Sequence, residues 1–120
     1  MARRSSKRGP RHKYSEDTVA YMILNDRRLY KICEIVFSAN DLVHASYVAR
    51  KLKISIGYAY NLMRKLEKWG VLRAVKDPVN GKLAFRAGTS KVAELVAEEI
   101  RKRKAEETEQ ALIQHATIEL

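Results

Sequence analysis

One cysteine, Cys33, stands in 120 residues, so no internal disulfide can form and a disulfide-held scaffold is excluded. A lone thiol fits a reducing, cytoplasmic setting. Histidine is nearly as scarce. His12, His44 and His115 stand far apart, and with no second cysteine or HxxxH pair the usual zinc ligands are missing. No metal or cofactor is therefore expected. A glycine-rich phosphate loop is also lacking. No apolar run approaches the ~20 residues of a membrane span, and the first residues lack the apolar core of a signal peptide, so no membrane partner is expected. Acid is in short supply as well: 14 Asp/Glu face 24 Lys/Arg, for a net charge of +10. The imbalance is local. Residues 1–90 hold 19 Lys/Arg against 7 Asp/Glu, whereas residues 91–120 hold 5 against 7. A basic body with a mildly acidic end points to a polyanionic partner.

What is present is enough for one domain with tails. Hydrophobic residues make up 46%, so a core can form. Residues 1–14 read as a basic tail. Arg3, Arg4, Lys7, Arg8, Arg11 and Lys13 carry its charge with no acid to offset them. The tail has no apolar periodicity, so it is expected to be disordered alone and ordered only by a partner. Residues 15–90 read as the folded unit, and 91–120 as a C-terminal helix for packing or dimerisation.

Ser15 suits a helix cap, but Thr18 to Leu24 is ambiguous between helix and strand. From Arg27 the pattern is clean: Leu29, Ile32, Cys33, Val36 and Phe37 form one helical stripe. Ser38 to Asp41 reads as its exit. A helix over Ala45 to Leu52 points Val48, Ala49 and Leu52 inward. Lys53-Ile54-Ser55 is a turn, with Ser55 as N-cap of a helix over Ile56 to Trp69 that buries Ala59, Leu62, Met63 and Leu66. Gly70 suits the left-handed position after that helix. Val71–Lys76 and Lys82–Ala87 read as strands joined through Asn80-Gly81. Thr89 or Ser90 then caps a helix from Lys91 to about Gln114. The fold expected is mainly α with a small β-hairpin, a helix-turn-helix followed by a wing.

That layout binds nucleic acid, with the second helix entering a groove and the first bracing it. The outward face of Ile56–Trp69 carries Ser55, Gly57, Tyr58, Tyr60, Asn61, Arg64, Lys65 and Lys68, with no acid among them. Asn61 suits an adenine edge, and Arg64 a guanine or phosphate. Gly57 lets the backbone approach a phosphate near a helix N-terminus. Lys51 and Lys53 flank the turn, and Arg73, Lys76, Lys82 and Arg86 charge the wing. A basic helix face is often merely solvated; the layout, tail and net charge together weigh for binding. Trp69 reads as core between helix and wing rather than a stacking platform. Tyr58 and Tyr60 need a reason to sit on a wet face.

Catalysis finds little support. Cys33 falls on an apolar stripe, where a core thiol is expected rather than a nucleophile. Glu98-Glu99 and Glu106-Glu107 fit solvated faces and i,i+4 pairs. In the last helix Val92, Leu95, Val96 and Ile100 open an apolar pattern. Arg101 to Lys104 and Glu106 to Glu109 interrupt it, and Ala111, Leu112, Ile113 and Ala116 resume it. The broken heptad argues against a long coiled coil.

Residues 29–87 resemble the winged helix-turn-helix superfamily, including MarR-, ArsR- and PadR-like regulators. The matching positions are Val48-Ala49, Leu52, Ile54-Ser55, Ala59, Leu62, Leu66-Glu67-Lys68, Gly70 and Gly81-Lys82. A narrower resemblance is to the winged-helix protein of the archaeal and eukaryotic small ribosomal subunit. It rests on Lys13-Tyr14-Ser15, Tyr30, Ile54-Ser55-Ile56, Ala59, Leu62 and Leu66-Glu67. The chain departs from it in the long C-terminal helix, in Asp77-Pro78 and in the spacing after Phe37. That resemblance implies ribosomal-RNA binding through the tail and outward helix face, beside other ribosomal proteins. The first expectation is therefore a non-enzymatic, structural RNA-binding component of the small ribosomal subunit. The alternative is a dimeric, sequence-specific double-stranded-DNA regulator, or a plasmid-partition or chromatin protein, paired through 91–120. These place the chain on the ribosome or the nucleoid.

Overall fold

The structure, a computed structural model, describes residues 14–119, with side chains through residue 113. Ser15 settles the first ambiguity. Its Oγ accepts the Thr18 N–H at 3.2 Å and starts helix α1, Glu16–Leu24, with Glu16 and Asp17 favourably placed in the first turn. Val19, Ala20 and Ile23 then share the buried side. A strand would have sent Val19 and Ala20 to opposite faces. Asp26 caps helix α2, Arg27–Ser38, through the Leu29 N–H at 3.0 Å, and Leu29, Ile32, Cys33 and Val36 are buried as the stripe predicts.

Helix α3, Ala45–Leu52, ends at Lys53, which adopts a left-handed conformation at φ 59°. A lysine there is unusual, and nothing in the sequence marks it. Ser55 Oγ accepts the Tyr58 N–H at 3.1 Å and opens helix α4, Ile56–Lys68. The α4 core residues are Ala59, Met63 and Leu66; Leu52 and Leu62, expected to face inward, pack at the core's edge half-buried. Gly70, at φ +83°, turns the chain into the wing.

Strands β1, Leu72–Lys76, and β2, Leu83–Ala87, are antiparallel, with Leu72 opposite Ala87 and Lys76 opposite Leu83. The turn between them closes as the Gly81 N–H donates to the Asp77 carbonyl at 2.7 Å. Val43 adds a one-residue third strand. It exchanges two backbone hydrogen bonds of 2.8 Å with Phe85, tying the approach to α3 to the wing.

Ser90 joins two elements. Its Oγ accepts the Ala93 N–H at 3.1 Å and donates to the Gly70 carbonyl at 2.7 Å, so the start of the last helix is fixed to the end of α4. Helix α5 runs Lys91–Glu119, past the expected end near Gln114 and unbroken through its charged middle. Val92, Ala93, Val96 and Ile100 are buried, and Val92, Val96 and Ile100 join one apolar cluster with residues of α1 to α4 and the sheet. Beyond Ile100 the described side chains are exposed, Arg103 excepted.

Candidate nucleic-acid interface

Burial of Ala59, Met63 and Leu66 fixes which side of α4 meets solvent. On that side Gly57, Tyr58, Tyr60, Asn61, Lys65 and Lys68 are exposed. The helix has one acid, Glu67, and Arg64 engages it. Arg64 Nε lies 2.8 Å from Glu67 Oε1, a close ion pair not aligned as a hydrogen bond. Arg64 Nη1 donates to Tyr60 Oη at 2.9 Å. The Tyr60 hydrogen bond, then the Glu67 charge, raise the Arg64 pKa above its ordinary value. Arg64, expected to be free for guanine or phosphate, is thus half-buried and already partnered. The Asn61 side chain makes no hydrogen bond with any described residue and is exposed.

The two tyrosines find separate reasons. The Tyr60 ring meets Phe85 edge-on, with centroids 6.2 Å apart, and so props α4 against the wing. Tyr58 is paired with Arg28 of α2, whose Nη1 donates to Tyr58 Oη at 3.3 Å and whose guanidinium lies 5.3 Å from the ring centre. Sequence reasoning missed Arg28, because thirty positions separate the pair. It also missed Tyr47 on α3, which is 40% exposed and flanked by Arg50 and Lys51, each 5.7 Å from the ring centre. Spacings of three and four residues on a helix were the signal available there. Trp69 packs against the core half-buried, as expected, but its ring also carries the Lys65 ammonium at 5.2 Å. Cations held over aromatic faces in this way keep their charge while their stems are ordered.

The predicted residues do not all converge. Lys51, at the end of α3, and Lys53, in the turn, are exposed beside α4 and have no carboxylate partner among the described residues. Ser55 is occupied as the helix cap. At Gly57 a Cβ would meet nothing within 4 Å, so the fold itself has no use for the missing side chain. In the wing, alternation divides the cations. Lys76 and Leu83 share the face of Phe85, which α4 contacts, whereas Arg73 sits directly opposite Arg86 on the other face. Arg86 is therefore turned away from α4. Lys82 lies in the turn, its N–H donating to Asn80 Oδ1 at 2.9 Å. The one acid at the wing tip, Asp77, is taken up internally. The Val79 N–H at 2.9 Å and His44 Nε2 at 2.8 Å hold its carboxylate, and in that order they lower its pKa. Arg3, Arg4, Lys7, Arg8, Arg11 and Lys13 lie outside the described residues.

Among the described residues no group of three or more His, Cys, Asp or Glu is placed to hold a metal ion, and no helix is long and apolar enough to cross a membrane. Cys33 is buried, and burial pushes its thiol up to about 12, which leaves no thiolate for nucleophilic chemistry near neutral pH.

No family model matches the sequence, and no curated protein matches it. Solved structures do. HlyU from Vibrio cholerae N16961 superposes with a TM-score of 0.58 at 12% identity, over 84% of this chain and 96% of that one. The transcriptional regulator SlyA gives 0.59 at 19% identity, over 77% of this chain; the chain spans only 63% of SlyA. The adhesin competence repressor AdcR from Streptococcus pyogenes gives 0.58 at 19% identity, over 82% and 75%. At these identities the likeness establishes the fold. The chain is a winged helix-turn-helix, mainly α, with a small antiparallel hairpin and a long C-terminal helix.

The expectation of a small-ribosomal-subunit protein is overturned by these matches. The solved structures that the chain matches include a transcriptional regulator and a repressor, and none of those named is a ribosomal protein. The physical reason lies in the residues that suggested the ribosome. Ser55 caps α4, and Ala59 and Leu66 fill the core, so that stretch encodes the helix-turn-helix and carries no information about RNA.

Proposed function

We propose that this protein is a non-enzymatic, sequence-reading binder of double-stranded DNA, a regulator that places α4 in the major groove. The observation that carries this reading is the outward face of α4, where an unpartnered Asn61 stands between Tyr58, Lys65 and Lys68 on a helix whose sole acid is already engaged. Asn61 is suited to the paired donor and acceptor of an adenine edge. Lys65 and Lys68, with Lys51 and Lys53 beside them, are suited to flanking phosphates. The open space at Gly57 favours close approach of the backbone. Arg64 acts indirectly, holding Tyr60 against the wing. The reading unit is residues 15–90, with the basic tail 1–14 adding non-specific contacts and Lys82 reaching from the wing turn.

The test is selection of duplexes from a random pool by the full chain, followed by Asn61→Ala. A selected motif whose discrimination falls by ~1–3 kcal/mol at one position supports the reading. With about six phosphate contacts, log K should fall against log salt with a slope near −5. Failure to enrich any duplex motif, or an Asn61→Ala variant with unchanged preference, would overturn it.

A further inference from the structure

We infer that the start of α2 forms a second phosphate-binding wall beside α4. Arg28 and Tyr58 together grip one backbone phosphate of the DNA strand that borders the groove, and Arg27 and Lys31 take neighbouring phosphates. The inference rests on the proposed reading of α4 and adds to it a helix that the reading leaves out.

The argument begins with residues the fold does not need. Arg27 and Arg28 open α2, and neither forms an ion pair among the described residues. Cations in a first turn oppose the helix dipole, so they weaken α2 rather than support it. Both side chains are exposed, and so is Lys31. Spacings of three and four residues set Lys31 beside both arginines on one side of the helix.

Placement carries this further. A cleft of about 760 Å3 lies between the start of α2, the end of α3 and the first turn of α4. Arg27, Arg28, Lys31 and Lys51 line it, against a single acid, Asp26. Asp26 is committed to the helix, where its Oδ1 accepts the Leu29 N–H at 3.0 Å. Lys31 lies 3.5 Å from Glu34; the other three cations have no carboxylate partner among the described residues. The cleft is thus positive, and it adjoins the N-terminal end of α4, the end that meets bases in a major groove.

Tyr58 joins the cleft to the reading helix. Its Oη accepts from Arg28 Nη1 at 3.3 Å, so the phenol proton is left to be donated elsewhere. A guanidinium carries several N–H donors, and Arg28 uses one of them on Tyr58. The Tyr58 ring, 5.3 Å from the guanidinium, orders Arg28 without neutralising it. The pair therefore offers an O–H, further N–H groups and a positive charge side by side, which is the complement of a phosphodiester.

The test uses full-length chains and a mixed-sequence duplex, with affinity followed by fluorescence anisotropy across a salt series and circular dichroism to verify folding. R27Q/R28Q should weaken binding by on the order of 10-fold or more and flatten the slope of log K against log salt by about 2. Y58F keeps the ring beside Arg28 and every charge. It should lose about 10-fold in affinity with the slope unchanged. R101Q/K102Q removes the same charge from α5, which does not line the cleft, and should leave the slope as it is. A slope changed equally by R27Q/R28Q and R101Q/K102Q would overturn the proposal, since net charge alone would account for it. An R27Q/R28Q variant of lower affinity but native slope would also overturn it, by making Arg28 a brace for α4 rather than a phosphate contact. So would unchanged DNA affinity in that variant joined to heat protection by inorganic phosphate in the native chain alone, which would assign the cleft to a free anion. The two readings fail separately. If Asn61→Ala leaves sequence preference unchanged while R27Q/R28Q flattens the slope, base reading by α4 fails and the cleft stands. The converse pattern removes the cleft alone.

Discussion

Helices α4 and α5 are both heavily charged, yet the core holds them differently. On α4 the buried positions run from Ala59 to Leu66 and reach nearly both ends of Ile56–Lys68. On α5 the last buried residue among the described side chains is Ile100, although the helix continues to Glu119. The first helix has its rotation and height set by the rest of the domain, so its outer face is a fixed template. Beyond Ile100 the second keeps only surface ties to the domain, Arg103 over the Tyr30 ring and Lys104 beside Glu34, and the length past them rests on helix propensity and local ion pairs, each worth a few tenths of a kcal/mol. A helix held on one side can read. A helix held at one end is better suited to reaching.

The comparison breaks most sharply by truncating one leucine in each helix. Leu66→Ala removes a fully buried side chain and should cost about 2–5 kcal/mol in chemical denaturation. Leu112→Ala, at an exposed site, should change the stability of the monomer by less than about 0.5 kcal/mol. Near-equal costs would mean that α5 is built into the domain beyond Ile100.

The caps sharpen the contrast at a smaller scale. Ser55→Ala loses one bond to the Tyr58 N–H and should cost about 1 kcal/mol. Ser90→Ala loses the Ala93 bond and also orphans the part-buried Gly70 carbonyl, so about 2 kcal/mol is expected. Thermal unfolding of the two variants side by side measures the difference.

Gly57→Ala should act in two directions. A methyl group there meets no neighbour, so the domain should gain about 0.5–1 kcal/mol from the better helix former. Affinity for DNA should fall in the same variant if the open backbone is used for contact. A stabilised protein with unchanged affinity would remove Gly57 from the interface.

The smallest effect is expected in acid. Because Asp77 has a folded pKa below its ordinary value, it contributes stability above the unfolded carboxylate pKa of about 3.9, and that contribution is lost as pH falls through the lower folded value. Between pH 6 and 8 this group should contribute no pH dependence. Asp77→Asn should flatten the stability profile in the acid range only, and carboxyl NMR of Asp77 should give a midpoint below that of a free aspartate.

Much of the first contrast was legible in the residues. The period of Leu29, Ile32, Cys33 and Val36, the cap at Ser55, the Gly70 turn and the Asn80-Gly81 hairpin are local signals, each acting within a few positions of itself. Local physics suffices for such features, so the helix-turn-helix and wing are legible in the sequence alone. The α1 segment was ambiguous because Val19 and Ile23 favour strand and helix comparably. The Ser15 cap and packing against the first turns of α5 decided it. The target was misread for a related reason: the residues that resembled a ribosomal protein serve the fold that many binders share.

By itself, then, the sequence determined the order of elements from α2 onward, the apolar stripe of α2 and the basic, acid-poor character of the face opposite the α4 stripe. It also carries the inversion from the basic run Arg101 to Lys104 to the acidic run Glu106 to Glu109. Only the tertiary structure decided which charges remain free. It set Arg64 against Tyr60 and Glu67, brought Arg28 across thirty positions to Tyr58, turned Arg86 to the far side of the wing and closed Asp77 on His44. Those pairings depend on distances between elements rather than on spacing within one, and spacing within one element is all that a linear pattern records.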